Sequence, residues 1–187
     1  MRCVPGHLLL SALLLVGCAG QPAVAPLPAP MTLPGADTQQ QRLTFEHQQQ
    51  RHELIGVLRH DGHSLRLIML SPQGQRLLTL QHDESGARFI GDTTFDPGFS
   101  ASWLASRLTW SLWPSPALQQ SFAGSQWTLS EAGNRRTIRY RNRVIAYVNQ
   151  SADCFVIDDI EGGYRLFIAP LDDSATRTTA ACPKVLS

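Results

Sequence analysis

The sequence carries almost no net charge, with Lys and Arg numbering 16 against 15 Asp and Glu. A chain without a basic excess has no electrostatic footprint for a nucleic-acid partner. It also lacks a spanning helix in its leading apolar stretch: Leu8 to Val16 is almost wholly apolar but far short of the roughly 20 residues a bilayer requires. Familiar catalytic signatures are missing as well. There is no His-Glu-x-x-His, no Gly-x-Ser-x-Gly elbow and no phosphate-cradling glycine loop followed by Lys. Cysteine is sparse, at four. What is present is a length of 187 residues, about one domain, and a 43% hydrophobic content that excludes disorder and collagen. Aromatic residues make up only 7%, yet four of them are Trp.

Met1 to His7 forms a short, positively charged segment ahead of the Leu8 to Val16 stretch, the pattern of a secretory leader. Leu15-Val16-Gly17-Cys18 resembles the lipobox of bacterial lipoproteins, which implies cleavage after residue 17 and acylation of Cys18. Ala19 follows, rather than the Asp that retains such proteins at the inner membrane. The resemblance therefore implies an outer-membrane anchor facing the periplasm. Residues 18–40 are expected to form an acylated N-terminus and a tether, since Gln21 to Ala36 holds Pro22, Pro26, Pro28, Pro30 and Pro34. The remaining 41–187 form the folded domain. With Cys3 lost and Cys18 acylated, Cys154 and Cys182 remain as one pair in an oxidising compartment, expected as a disulfide pinning the C-terminal tail.

From Gln41 onward the sequence reads as short strands. Arg42 to His47, Glu53 to Arg59, Ser64 to Leu70, Gln75 to Gln81 and Ala87 to Ile90 form a meander, with His60-Asp61-Gly62-His63 and Ser71-Pro72-Gln73-Gly74 as turns. Asp96-Pro97 signals a helix start, and the helix is expected to run to Trp113. A second, short helix is expected over Ala117 to Phe122. Strands resume at Gln126 to Ser130, Arg135 to Arg141, Val144 to Asn149, Phe155 to Ile160 and Tyr164 to Leu171. The fold class is α+β, a strongly curved antiparallel sheet or incomplete barrel with a helical plug inserted mid-chain.

Two patterns point toward function. Leu65, Leu67 and Met69 share one face of their strand while Ile68 and Leu70 occupy the other, so both sheet faces meet apolar material. In the helix, Phe99, Trp103, Trp110 and Trp113 fall opposite Ala101, Leu104, Leu108 and Leu112, so the helix is sandwiched. The Leu stripe packs on the concave sheet. The aromatic stripe faces either the other wall of the same barrel or a cavity for an acyl or polyene chain.

Residues with other chemistry are less telling. His47, His52, His60, His63 and His82 include the pair His60-x-x-His63, but that pair brackets a turn and has no partner at zinc-ligand spacing. No metal, no cofactor and no catalytic residue is expected. Asp158-Asp159 with Glu161, and Asp172-Asp173, read as solvated turns. Arg135-Arg136, Arg139-Tyr140-Arg141 and Arg143 form a basic run, most simply a charged edge strand.

Leu65-Arg66-Leu67-Ile68-Met69-Leu70-Ser71-Pro72-Gln73-Gly74 with Arg76-Leu77-Leu78-Thr79-Leu80 resembles the strand-Pro-x-Gly-strand hairpin of the LolB outer-membrane lipoprotein family, relatives of the soluble periplasmic LolA carriers. Leu112-Trp113-Pro114-Ser115-Pro116-Ala117-Leu118 resembles the helix-Pro-x-Pro-Leu passage there, and Ile138 to Tyr147 and Gly163-Tyr164-Arg165-Leu166 follow in the same order. The chain is more similar still to a domain-of-unknown-function family of bacterial lipoproteins often encoded beside aryl-polyene or fatty-acid-type biosynthesis genes. The resemblance implies an unclosed barrel whose interior accepts acyl chains. The expected function is therefore non-enzymatic: an outer-membrane lipoprotein that binds or transfers a lipid, acyl or polyene-like cargo. Leu67, Met69, Leu78, Leu80, Trp103 and Trp110 are expected to line the site, with a LolA-like periplasmic carrier or a transporter as partner. The alternative is an assembly lipoprotein with a filled core that docks an envelope transport complex. The large apolar residue that a LolB-type delivery loop requires is absent from Ser71-Pro72-Gln73-Gly74.

Overall fold

The computed structural model describes residues 24–91, 97–151, 154–171 and 182. Strand β1 (Asp37–His47) is followed by β2 (Gln50–His60), β3 (Leu65–Leu70), β4 (Arg76–Asp83) and β5 (Gly86–Phe89). Helices α1 (Ala101–Leu112) and α2 (Ser115–Phe122) come next, then β6 (Trp127–Ala132), β7 (Arg135–Tyr140), β8 (Arg143–Ser151), β9 (Cys154–Asp159) and β10 (Tyr164–Pro170). All ten strands belong to one open sheet in the order β5-β4-β3-β2-β1-β10-β9-β8-β7-β6. Every pairing is antiparallel. Two five-strand meanders are thus joined in the middle by β1 and β10, and the helical insert runs between the two free edges, β5 and β6.

The sheet is bent around the insert. Helix α1 touches β4 and β5 on one side and β8 and β9 on the other. In the sheet order β4 and β8 lie six strands apart, about 29 Å on a flat sheet at about 4.8 Å per strand. A helix about 10–12 Å across meets both only if the sheet curls.

Alternation then sorts side chains. Leu65, Leu67 and Met69 on β3 and Leu78, Leu80 and His82 on β4 are buried on the inner face. Gly56 on β2 also faces inward. A Cβ there would come within 3.0 Å of Leu43 and 3.3 Å of Leu67, so the missing side chain lets those two leucines meet.

Boundaries differ from expectation where a local signal was weak. Strand β2 starts earlier than expected because Gln48 and Gln49 both adopt positive φ (47° and 66°), giving a tight two-residue hairpin turn that Gln-Gln does not announce, and β1 starts earlier, at Asp37, where it pairs with the end of β2. Helix α1 begins at Ala101, with Ser100 as N-cap accepting a hydrogen bond from the Trp103 amide. Asp96, the expected cap, lies outside the described residues. Pro116 sits inside the first turn of α2, where a missing N–H costs nothing, so that helix starts earlier than expected.

The segment expected as a tether also differs. Among residues 24–36, Ala25, Pro28, Pro30 and Leu33 are buried, and a 3-10 turn spans Pro30–Thr32. His82 Nε2 donates to the Pro28 carbonyl at 2.9 Å, and Trp113 Nε1 donates to Thr32 Oγ1 at 2.9 Å. The proline-rich stretch is therefore a strap laid on the body, fixed by its own carbonyl and hydroxyl. The leader, Cys18 and Ala19 lie outside the described residues.

Candidate functional site

The site is the inner face of the sheet and the helix that lies against it. Trp103 to Ser111 are buried without interruption, nine consecutive residues of α1. A helix buried all round must satisfy its polar side chains locally; its three buried hydroxyls do so, while Trp103 Nε1 and Trp110 Nε1 are buried without a hydrogen-bond partner among the described residues. Ser106, Thr109 and Ser111 donate to the carbonyls of Trp103, Ser106 and Leu108, at 2.7, 2.8 and 2.9 Å.

Trp103, Arg107 and Trp110 share one side of α1, at spacings of four and three residues. The Arg107 guanidinium lies between the two indoles, 4.4 Å from the Trp103 ring and 4.6 Å from the Trp110 ring. Its Nε donates to Asp159 Oδ2 at 2.8 Å, and the two side chains are 1% and 0% exposed. Glu161 approaches Arg107 at 3.5 Å. Asp159 Oδ1 accepts from the Gly162 amide at 2.6 Å, so the β9–β10 turn folds back onto the carboxylate. Tyr164, 5.5 Å from Trp103 ring to ring, is pushed above the usual tyrosine range by burial and by the Asp159 carboxylate. The same side of α1 continues into Trp127 on β6, 6.1 Å from Trp110.

A second arginine holds the end of the helix. Arg136 on β7 donates to the carbonyls of Trp110 and Trp113, both at 2.8 Å, where the last turn leaves acceptors unpaired. Its Nε donates to Glu131 at 2.8 Å. Glu131 also accepts from the Ser115 hydroxyl. That hydroxyl and Arg136 hold the Glu131 carboxyl below its ordinary range.

Two expectations change here. Asp159 is not in a solvated turn; it is the buried partner of a buried arginine. Arg136 is not on a merely charged edge, because its head reaches inward to cap α1. Neither was legible locally, since Asp158-Asp159 and Arg135-Arg136 look alike at both positions of each pair and only strand register decides which points inward. Asp172 and Asp173 lie outside the described residues.

The residues expected to line a cargo site are gathered in one core but not on one wall. Leu67, Met69, Leu78 and Leu80 stand on β3 and β4 and are 1%, 3%, 1% and 0% exposed. Trp103 and Trp110 are 8% and 0% exposed and turn toward β6, β9 and β10. The aromatic stripe thus meets protein, while Leu104 and Leu108 occupy the opposite side of α1 and are buried as well.

The described cavities are not lined by those six expected residues. One of about 580 Å³ sits between the β1–β2 and β9–β10 turns, lined by Glu46 to Arg51, Asp158 to Ile160 and Gly163 to Arg165. Another, of about 380 Å³, runs along Gln39 to Gln41, Gln150 and Ile168 to Pro170. Cys154 borders the second and lies within disulfide distance of Cys182, Cα to Cα 5.5 Å, as the cysteine count led us to expect. Among the described residues no group of three or more His, Cys, Asp or Glu is placed to hold a metal ion.

These features define a class: an open antiparallel sheet curled around a two-helix insert that is pinned by one buried and one half-buried arginine. A family model described as "Protein of unknown function (DUF3261)" matches residues 38–172, from β1 past the end of β10, and the chain belongs to that family. No curated protein matches the chain.

Proposed function

We propose that the protein is a LolB-like lipoprotein, acylated at Cys18, anchored in the outer membrane and facing the periplasm. It binds a lipid, acyl or polyene-like cargo and does no covalent chemistry. The cargo lies between the Leu104 and Leu108 side of α1 and the aliphatic wall of Leu67, Met69, Leu78 and Leu80. A periplasmic carrier or a transporter delivers or receives it.

The observation that carries this reading is an asymmetry in how α1 is held. The arginine contacts at Asp159, Trp110 and Trp113 all fall on the β6–β10 side. On the β3–β4 side the wall is aliphatic, and apolar contacts separate without leaving a buried charge behind. The insert enters between the free edges β5 and β6, so widening that gap breaks no sheet ladder. An acyl chain entering there gains about 25 cal/mol per Å² buried, the same driving force as the leucine contacts it replaces. An anchor at Cys18 stands six residue steps from Val24, at most about 22 Å of extended chain.

The experiment is native mass spectrometry of the chain recovered from the periplasm without its acyl anchor, with organic extraction of the same sample. A stoichiometric hydrophobic adduct, lost on Leu67→Glu in a variant that still folds, is the expected result. One specific observation favours a second reading, the assembly lipoprotein with a filled core: the described cavities are not lined by the six core residues. A bare protein mass, with no uptake of added fatty acid, would establish that reading in place of the first.

A further inference from the structure

We propose that the outer face of β2, β3 and β4 is a docking surface for an anionic phospholipid bilayer. The surface is separate from the cargo site and does not rest on it. Because Leu67 and Met69 point inward, alternation turns Ile68 and Leu70 outward, and their register partners on β2 are Val57 and Ile55. Leu77 joins them from β4, at the irregularity where Leu70 is paired with Arg76. All five side chains are partly exposed, on a sheet face that water would normally meet through polar residues.

The charges bordering this patch are mostly of one sign. Arg42 is the β1 partner of Ile55, Arg76 is the β4 partner of Leu70, and Arg59 and Arg66 stand opposite each other one inward-outward repeat beyond Val57 and Ile68. Two like charges directly opposite are unfavourable unless something neutralises them. Arg66 donates to Gln81 at 3.0 Å, an uncharged acceptor, and Arg42 and Arg59 make no ion pair among the described residues. Among the described residues, two carboxylates of the same face are already engaged: Glu53 with Arg51 at 3.1 Å and Asp83 with Arg88 at 2.6 Å.

The chemistry of the patch selects the partner. Its aliphatic side chains carry no ring, whereas protein interfaces concentrate aromatic anchors. Four of the five residues stand on β2 and β3, which are paired on both sides, so no peptide can add to those strands as a further strand. A shallow aliphatic area rimmed by guanidinium groups fits acyl chains at the headgroup boundary with phosphates around it.

The test is flotation of the chain carrying Cys18→Ser, in which no acyl anchor forms, with vesicles of phosphatidylcholine and vesicles enriched in phosphatidylglycerol. We expect the chain to float with the phosphatidylglycerol vesicles only, roughly tenfold less with Arg59→Gln and Arg66→Gln together, and not at all with Ile68→Glu. The arginine pair is exposed, so its replacement leaves the core untouched and keeps the test valid if Ile68→Glu fails to fold. Absence of flotation, equal flotation on both vesicles, or binding indifferent to the arginine pair would overturn the proposal. So would a dimer in sedimentation that Ile68→Glu dissolves without any vesicle binding, which would assign the face to a second copy of the chain. Loss of cargo binding in the mass-spectrometry experiment leaves this result unaffected, so the two readings fail separately.

Discussion

The two meanders of the sheet meet α1 in different ways. The β6–β10 half presents Asp159, Arg136, Tyr164 and Trp127, and holds the helix by directed contacts whose lengths lie between 2.8 and 3.5 Å for the ionic and hydrogen-bonded ones. The β1–β5 half presents Leu58, Leu65, Leu67, Met69, Leu78 and Leu80, which hold by burial, with one ring contact, His82 to Trp113 at 6.2 Å, at the end of the helix. Directed bonds fix a rotation and a register, and an unpaired member is costly when buried. Aliphatic contacts are non-directional and exchangeable. The helix is thus a fixture of one half and a tenant of the other, and any apolar guest has only one wall to displace it from.

That contrast is broken most severely at Asp159. Asp159→Ala leaves Arg107 buried without its main partner and is expected to destabilise the fold by about 3–5 kcal/mol, read from denaturant unfolding. Replacing both members, Arg107→Met with Asp159→Leu, is expected to recover most of that loss, because the desolvation cost of both charges disappears. On the aliphatic side, Leu80→Ala is expected to cost about 2–5 kcal/mol by the same measurement. It differs in kind, since it leaves space rather than a stranded charge and so raises the uptake of short acyl probes that Asp159→Ala does not.

Further changes sharpen the same comparison. Reducing Cys154–Cys182, which closes a separation of 28 residues, is expected to cost about 3–4 kcal/mol by chain entropy alone, without altering the contacts of α1. Arg136→Gln removes a charged donor from two helix carbonyls and is expected to cost about 1.5–3 kcal/mol, with faster amide exchange confined to the end of α1 and to α2. Smallest is the pH dependence of that clasp. The Ser115 hydroxyl and Arg136 depress the Glu131 pKa in the folded state, so its contribution is complete above the unfolded carboxylate range and is lost as pH falls through the folded value. Wild type is expected to lose its stability margin over Glu131→Gln below about pH 4.

Strand existence was legible throughout, because alternation and turn chemistry speak locally. The starts of β1 and β2 were not, since Thr38 to Gln41 carry no apolar alternation and Gln48-Gln49 is no turn signature. Strand order was also beyond local signals, because the β1–β10 pairing joins residues more than a hundred positions apart. For the site, the Trp103 and Trp110 stripe was legible from helical period. Its centre, Arg107, was not, for nothing near it in sequence reveals a carboxylate on β9. The strap was misread because proline content reports backbone stiffness and not whether a surface lies beneath it. Ala25, Pro28, Pro30 and Leu33 are buried by residues as distant as His82 and Trp113.

The most direct test of the cargo claim is energy transfer from the protein's tryptophans to a polyene fatty acid added to the chain without its anchor. The account predicts saturable transfer at one ligand per chain, abolished by Leu67→Glu in a folded variant and retained after the exposed Arg59→Gln change. Transfer that never saturates, or that survives Leu67→Glu unchanged, would contradict an acyl site between α1 and the β3–β4 wall.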